Sequence, residues 1–156
     1  MKTKWRIEAF VRDGLMDAAG EGIKKDIEDL GIHGVEAVKP IQVYEIEGRA
    51  GQGVAKRIGQ ELLADAVSQD FRIGDASTGF SPPGWVVDVR YHAGVTDAVG
   101  TSAMKGILDM GIGGVDSVKT SMRYVVRGKV SQTQMDAICR KLLANTVIQT
   151  YHIEKL

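Results

Sequence analysis

V-E-A-V-K-P-I-Q-V-Y-E-I-E-G, Val35 to Gly48, returns 80 positions later as V-D-S-V-K-T-S-M-R-Y-V-V-R-G, Val115 to Gly128. Alternating apolar residues at period two mark extended chain, because successive side chains of a strand point to opposite faces. The stretch is too long and too alternating for one simple strand. Pro40 cannot donate a ladder hydrogen bond, which favours an edge or a bend there. The reading is two strands meeting near Lys39-Pro40, and two more meeting near Lys119-Thr120.

The likeness extends far beyond this stretch. At the same offset Trp5 falls on Trp85, Gly14 on Gly94, Asp17 on Asp97, Gly20 on Gly100 and Lys25 on Lys105. Leu62-Leu63-Ala64, Val67 and Ile73 meet Leu142-Leu143-Ala144, Val147 and Ile153. About two dozen identities over about seventy ungapped pairs make the chain a tandem duplication. The segment G-D-A-S-T-G-F-S-P-P-G, Gly74 to Gly84, disfavours helix and strand and reads as a linker. At about 3.3 Å per residue it reaches roughly 35 Å, enough to set two small units side by side. The expected organisation is repeat one over 1–74, a linker over 75–84 and repeat two over 85–156, a homodimer made covalent.

Each repeat reads as β-α-β-β-α-β. Trp5, Ile7, Ala9 and Val11 alternate with Lys4, Arg6 and Glu8, and Trp85, Val87, Val89 and Tyr91 repeat the register, marking one buried face. Phe10 breaks the pattern on the other face. Asp17 and Asp97 suit helix N-caps, and Gly31 and Gly111 suit the left-handed residue that ends a helix. Ile23, Ile27 and Leu30 recur at helical spacing. A second helix is expected from about 51 to 64 and from about 131 to 144, with Val54, Ile58 and Leu62 answered by Gln134, Ile138 and Leu142. Gln134 is the misfit in that stripe. The order favours an α+β, ferredoxin-like fold in which antiparallel sheets carry their helices on one face, and the two repeats pair as a pseudo-dimer. Uncovered edges and sheet faces tend to recruit partners.

Composition narrows function. Twenty basic and twenty acidic residues leave no net field for nucleic acid or an anionic membrane. The first residues lack the apolar core of a signal peptide, so the expected location is cytoplasmic. The single cysteine, Cys139, excludes an internal disulfide framework and cysteine-rich zinc sites.

Candidate chemistry is sparse. G-R-A-G-Q-G-V-A-K, Gly48 to Lys56, resembles a phosphate loop, but repeat two loses Gly51 and Gly53 while keeping the fold pattern. It is read as a helix entry. His33, His92 and His152 answer Gly113, Arg12 and Arg72, so no histidine pair survives duplication. They are read as solvated. Cys139 lies in mid-helix with no identifiable base and is read as a small buried or interfacial residue. Gly20 and Gly100, each costing a helix about 1 kcal/mol relative to alanine, imply close backbone packing. No catalytic residue, metal ligand or cofactor-binding residue is assigned. The candidate partner-interface residues are Lys39 and Lys119, which end the same V-x-x-V-K phrase, and Tyr44 and Tyr124 on the strands that follow.

These residues carry a family resemblance. G-L-M-D-A-A-G and G-V-T-D-A-V-G, L-G-I-H-G-V-E-A-V-K and M-G-I-G-G-V-D-S-V-K, and above all L-L-A-N-T-V-I-Q-T-Y-H-I resemble PurS, the small subunit of phosphoribosylformylglycinamidine synthase. Leu142 to Ile148 match the family's closing phrase except at Thr146, where it has proline; repeat one departs further at Asp65, Ala66 and Ser68. The resemblance implies a non-catalytic scaffold in de novo purine synthesis, without a cofactor of its own. Its implied partners are a large ATP-dependent synthetase subunit and a glutaminase subunit, which it would bridge while aiding ammonia transfer. Further self-association of the pseudo-dimer is a second implied contact. The competing expectation is a regulatory pair that senses an amino acid or nucleotide at the interface between repeats. The neighbouring genes would discriminate most cheaply.

Overall fold

The computed structural model describes residues 2–74 and 80–156, so residues 75–79 of the expected linker lie outside it. The elements run β1 (Thr3–Val11), α1 (Ala18–Asp29), β2 (Val35–Gly48), α2 (Gln52–Ile58), β3 (Gln69–Ile73), β4 (Gly84–Tyr91), α3 (Ala98–Asp109), β5 (Val115–Gly128), α4 (Gln132–Ile138) and β6 (Gln149–Lys155). Helices α2 and α4 continue as π-helical turns, Gly59–Leu63 and Cys139–Leu143.

The decisive stretch corrects the expectation drawn from it. Val35–Gly48 and Val115–Gly128 are each one continuous strand, with no turn at Lys39-Pro40 or Lys119-Thr120. The reason lies in how the described residues divide into compact units. The first unit comprises 2–15, 42–74 and 96–121; the second comprises 16–41, 80–95 and 122–156. Segments 16–41 and 96–121 are thus exchanged between the repeats, and the spatial units differ from the sequence repeats. A strand that leaves one unit and enters the other has no need to double back. Burial along β2 steps out of period two at Val35 to Val38, Val38 to Ile41 and Val43 to Ile46, and the middle step lies just before β2 changes unit after Ile41.

In the first unit the hydrogen-bonded order is β3-β1-β2-β5, with β1 antiparallel to both neighbours. Ile7 sets the register, opposite Tyr44 on β2 and Ile73 on β3. Helices α2 and α3 lie on the sheet face carrying Ile7 and Ile46, where Ala55, Ile58, Leu63, Ala103 and Ile107 complete one core. The second unit runs β2-β5-β4-β6, with β4 and β6 antiparallel. Its core joins Val87, Val89 and Val126 to Ile27 of α1 and to Met135, Ile138 and Leu143. A fully buried isoleucine contributes roughly 1.5–3 kcal/mol relative to exposure, so these cores hold the helices down.

Local signals behave as the sequence implied, with two differences. Asp17 and Asp97 accept from the N–H groups of Gly20 and Gly100 at 2.9 and 2.8 Å. A Cβ at Gly20 would sit 2.1 Å from the Val38 carbonyl, and one at Gly100 would sit 2.6 Å from that of Val118. Helix α1 therefore packs on the first half of β2, and both belong to the exchanged segment. The first difference is the second-helix stripe: Met135, Ile138 and Leu143 are buried while Leu142 is exposed. A π-helical turn widens the repeat beyond 3.6 residues and rotates the buried face by one position. Gln134 is spent elsewhere, its Oε1 accepting from Ser131 N and its N–H donating to Ser131 Oγ, both at 3.1 Å, a capping box.

The second difference is on β1, where both faces are buried. Glu8 is fully buried, with Arg6 Nε 2.9 Å and Arg72 Nε 3.3 Å from its carboxylate, and the Arg72 guanidinium lies 4.7 Å over the Phe10 ring. In the second unit Arg123 grips Asp88 with two bonds of 2.8 and 3.1 Å. Charge at strand positions had implied solvent; here it is paired inside the protein.

Candidate partner-binding turns

The turn that closes each repeat is built by residues at the same four positions. Helix α2 with its π-turn ends when Ala64 adopts extended backbone, and the Ala144 equivalent does the same. Asp65 then accepts from Val67 N at 2.9 Å, and Asn145 accepts from Val147 N at 3.1 Å, the i to i+2 bond of an Asx turn. Gln69 and Gln149 close the loop: each side-chain oxygen accepts from the backbone N–H of Asp65 or Asn145 at 2.8 Å. Their own N–H groups donate to the Asp65 and Asn145 carbonyls at 2.8 and 2.7 Å. The turn is held from its side chains as well as its backbone.

What this scaffold holds out is apolar. Val67 and Val147 are 81% and 84% exposed. One exposed valine on a surface needs no explanation. Here a valine stands at the same position of two turns, each fixed by equivalent bonds.

The surroundings of the two turns differ. In the first unit Arg12 Nη2 donates to the Ala66 and Gln69 carbonyls at 3.1 Å, and its Nε lies 3.5 Å from Asp70. Hydrogen bonds from Val67 and Ser68, with Arg12 nearby, hold the Asp65 carboxyl below its usual value. A cavity of about 250 Å³ opens among Arg12, Gln60, Ala64, Ala66, Gln69, Asp70 and Phe71. In the second unit His92 Nε2 reaches the Thr146 carbonyl at 3.3 Å, and Ile148 stands where the first has Ser68. Leu142 and Ile148, each 36% exposed, add to Val147. Leu62, by contrast, packs against its core.

The residues singled out from sequence are distributed by the exchange. Lys39 shares a unit with Tyr124, and Lys119 with Tyr44. Lys119 is exposed and Lys39 partly buried. Both tyrosines pack against their cores, and burial raises both phenols above their usual value, with the Asp97 charge adding to the effect at Tyr44. All three histidines are exposed. Cys139 is fully buried, and desolvation, helped by Asp136, pushes its thiol up to about 12. Gly51 to Lys56 enter a helix of seven residues with no side-chain cap. Among the described residues no group of three or more His, Cys, Asp or Glu is placed to hold a metal ion. None of the described helices is long and apolar enough to cross a membrane.

The turns themselves were missed as a site, although a signal for them was present. Asp65-x-Val67-x-Gln69 and Asn145-x-Val147-x-Gln149 keep an Asx residue, a valine and a glutamine at fixed spacing. Read for burial alone, they are only the end of a helix, a short turn at Asp65 or Asn145 and the start of a strand.

Comparison with known proteins finds two successive matches to one family model, described as PurS: phosphoribosylformylglycinamidine (FGAM) synthase, over residues 4–75 and 85–156. Among curated proteins none matches. Solved structures similar to the chain include a Bacillus subtilis PurS, 18% identical over 47% of this chain and 96% of that one, with a TM-score of 0.43. Others are a PurS of Methanocaldococcus jannaschii, 22% identical over 47% and 96% with a TM-score of 0.32, and the PurLQS structure from Thermotoga maritima, 17% identical over 47% and 95% with a TM-score of 0.30.

Proposed function

The chain belongs to the PurS family of phosphoribosylformylglycinamidine synthase, which it contains twice over, and on that premise we propose that it is the scaffold subunit of such a synthase in purine synthesis. It bridges an ATP-dependent synthetase subunit and a glutaminase subunit in the cytoplasm, and helps organise ammonia transfer between them without catalysing a step itself.

The observation that carries this reading is the exchange of segments 16–41 and 96–121 between the repeats. One polypeptide thereby builds two complete α+β units, each needing residues from both copies, so the tandem chain takes the place of two separate small subunits. The repeated turns supply each unit with a fixed apolar contact. Exposed Lys119, with Lys39, Tyr44 and Tyr124, remains among the candidate partner contacts.

The test is reconstitution. Mixed with its cognate synthetase and glutaminase subunits, with glutamine and adenine nucleotide present, the chain is expected to enter a complex at one tandem chain per synthetase. Sedimentation velocity reads the stoichiometry. No association, with or without those ligands, rejects the reading.

A further inference from the structure

Each unit ends in an outermost strand, β3 in the first and β6 in the second, and the two edges are not equally closed. In the second unit His92 N–H donates to the Ile148 carbonyl at 2.8 Å and Leu156 N–H to the Gly84 carbonyl at 2.9 Å, at the two ends of the β4–β6 ladder. An antiparallel ladder alternates bonded and non-bonded pairs, so the even-numbered residues of β6 face β4. The N–H and C=O groups of Tyr151, Ile153 and Lys155 therefore point outward, and among the described residues none of them has a backbone partner. In the first unit Arg12 N–H donates to the Ser68 carbonyl and Gly74 N–H to that of Arg6, which turns Gln69, Phe71 and Ile73 of β3 outward. That edge is shorter, five residues against seven, and Arg12 Nη2 caps its Gln69 carbonyl at 3.1 Å. The equivalent His92 reaches the Thr146 carbonyl instead, which leaves β6 the longer and more open edge.

An open strand edge is a template for another strand. When β6 pairs antiparallel with β6 of a second copy about a twofold axis, the faces of the two sheets stay aligned only if residues of equal parity stand opposite each other. One such register sets Ile153 opposite Ile153 of the second copy, and Tyr151 opposite its Lys155. Every outward backbone group of those three residues is then bonded. The same register sets His152 opposite Glu154 of the second copy, and Glu154 opposite its His152, at non-bonded positions where Cα atoms lie about 4.5 Å apart. Both side chains are exposed, and within one chain His152 Nε2 already lies 3.2 Å from Glu154 Oε1. A shift one way opposes His152 to itself and offers Lys155 the Gln149 N–H that is already spent on the Asn145 carbonyl. A shift the other way opposes Glu154 to Glu154, a repulsive pair. We propose that β6 is a homodimerisation edge, by which two copies of this chain join antiparallel through Tyr151, Ile153 and Lys155 in the register fixed by reciprocal His152–Glu154 pairs. The contact closes on itself, so it makes a pair of tandem chains and not a filament. One strand pair falls short of the roughly 1,200 Å² that a stable interface buries, so the association is weak and reversible.

The contact needs no synthase subunit, so its test is independent of the scaffold reading. Sedimentation equilibrium of the full chain alone, from about 5 to about 500 μM at neutral pH, is expected to show a reversible dimer of tandem chains. Lys155→Pro removes one outward N–H and leaves the β4 ladder intact, and is expected to weaken the dimer at least about tenfold. His152→Glu sets carboxylates opposite each other and is expected to weaken it at least about threefold, whereas His152→Glu combined with Glu154→Lys restores opposite charges and should return it to within about twofold of the wild type. Asp70→Lys, on the β3 edge, should leave it unchanged. His152, Glu154, Lys155 and Asp70 are all exposed, so the variants should keep the wild-type circular dichroism. If Lys155→Pro does not, the charge swap decides by itself. A chain that stays monomeric throughout, a dimer indifferent to His152→Glu, a double variant no better than the single one, or an equal loss with Asp70→Lys overturns the inference.

Discussion

The backbone N–H of Thr120 donates to Asp97 Oδ2 across 2.6 Å, while the Thr120 hydroxyl donates to Asp97 Oδ1 at 2.8 Å. In the other repeat the position of Thr120 is Pro40, which has no N–H and no hydroxyl to offer Asp17. The same helix cap is therefore tied to its strand in one unit and only to its own helix turn in the other.

Removing the two caps should cost different amounts. An N-cap aspartate replaced by alanine typically costs about 1 kcal/mol, and each further bond at a partly buried site adds about 1 kcal/mol. Asp17→Ala is expected to destabilise by about 1 kcal/mol and Asp97→Ala by about 2–3 kcal/mol. Urea denaturation of each variant checks the order. Equal losses would mean that the Thr120 bonds contribute nothing net.

Glycines on one helix should respond in opposite directions. At Gly20 an added Cβ meets the Val38 carbonyl at 2.1 Å, whereas at Gly22 it meets nothing within 4 Å. Gly22→Ala is expected to stabilise by about 0.5–1 kcal/mol through helix propensity. Gly20→Ala should force α1 off β2 and lower the melting temperature by several degrees. Thermal unfolding followed by circular dichroism distinguishes them.

The exchange predicts what repeat one does alone. A fragment of residues 1–79 keeps Ile7 and Ile58 but lacks Ala103 and Ile107, which complete their core in the intact chain. Two fragments can supply each other with segment 16–41 in place of 96–121. Gel filtration with light scattering should find a dimer or larger species, and a folded monomer would show that the exchange is dispensable.

Cys139 gives a pH dependence with a definite sign. Its thiol rises to about 12 in the folded chain because burial disfavours the thiolate, with Asp136 adding to the effect. The unfolded chain therefore releases this proton first as pH rises. The stabilisation is fully present below the unfolded thiol value near 8.5 and is lost as pH climbs from there toward about 12. A denaturation series from pH 8 to 11 should show stability falling, with a shallower slope in Cys139→Ala. A thiol reagent at pH 8 should label the unfolded chain and spare the folded one.

The elements with strong local physics were legible. Asp17 and Asp97 mark helix starts because their carboxylates meet orphan N–H groups within the same four residues, and Gly31 and Gly111 mark helix ends because they take φ of +85° and +75°. Gly20 and Gly100 announced close packing by being poor helix formers kept in both copies. Val35–Gly48 misled because a break in alternation is ambiguous: a turn and a change of neighbours give the same pattern in one dimension. The π-turns escaped notice because their extra residue leaves composition untouched, and buried Glu8 escaped because its arginine partners are identified only by strand pairing.

From the chain alone came the duplication, by residues compared with residues at a fixed offset, the resemblance to the family, and the order of elements in each copy except that one long strand was read as two. The tertiary structure decided which copy each segment serves. Segments 16–41 and 96–121 carry near-identical packing signals, and an apolar stripe that fits one sheet fits its duplicate as well. Only the continuity of β2 and β5 selects the exchanged pairing. The same holds for the closing turns: the sequence contains Val67 and Val147, but their role as exposed tips on hydrogen-bonded scaffolds depends on what the fold leaves uncovered.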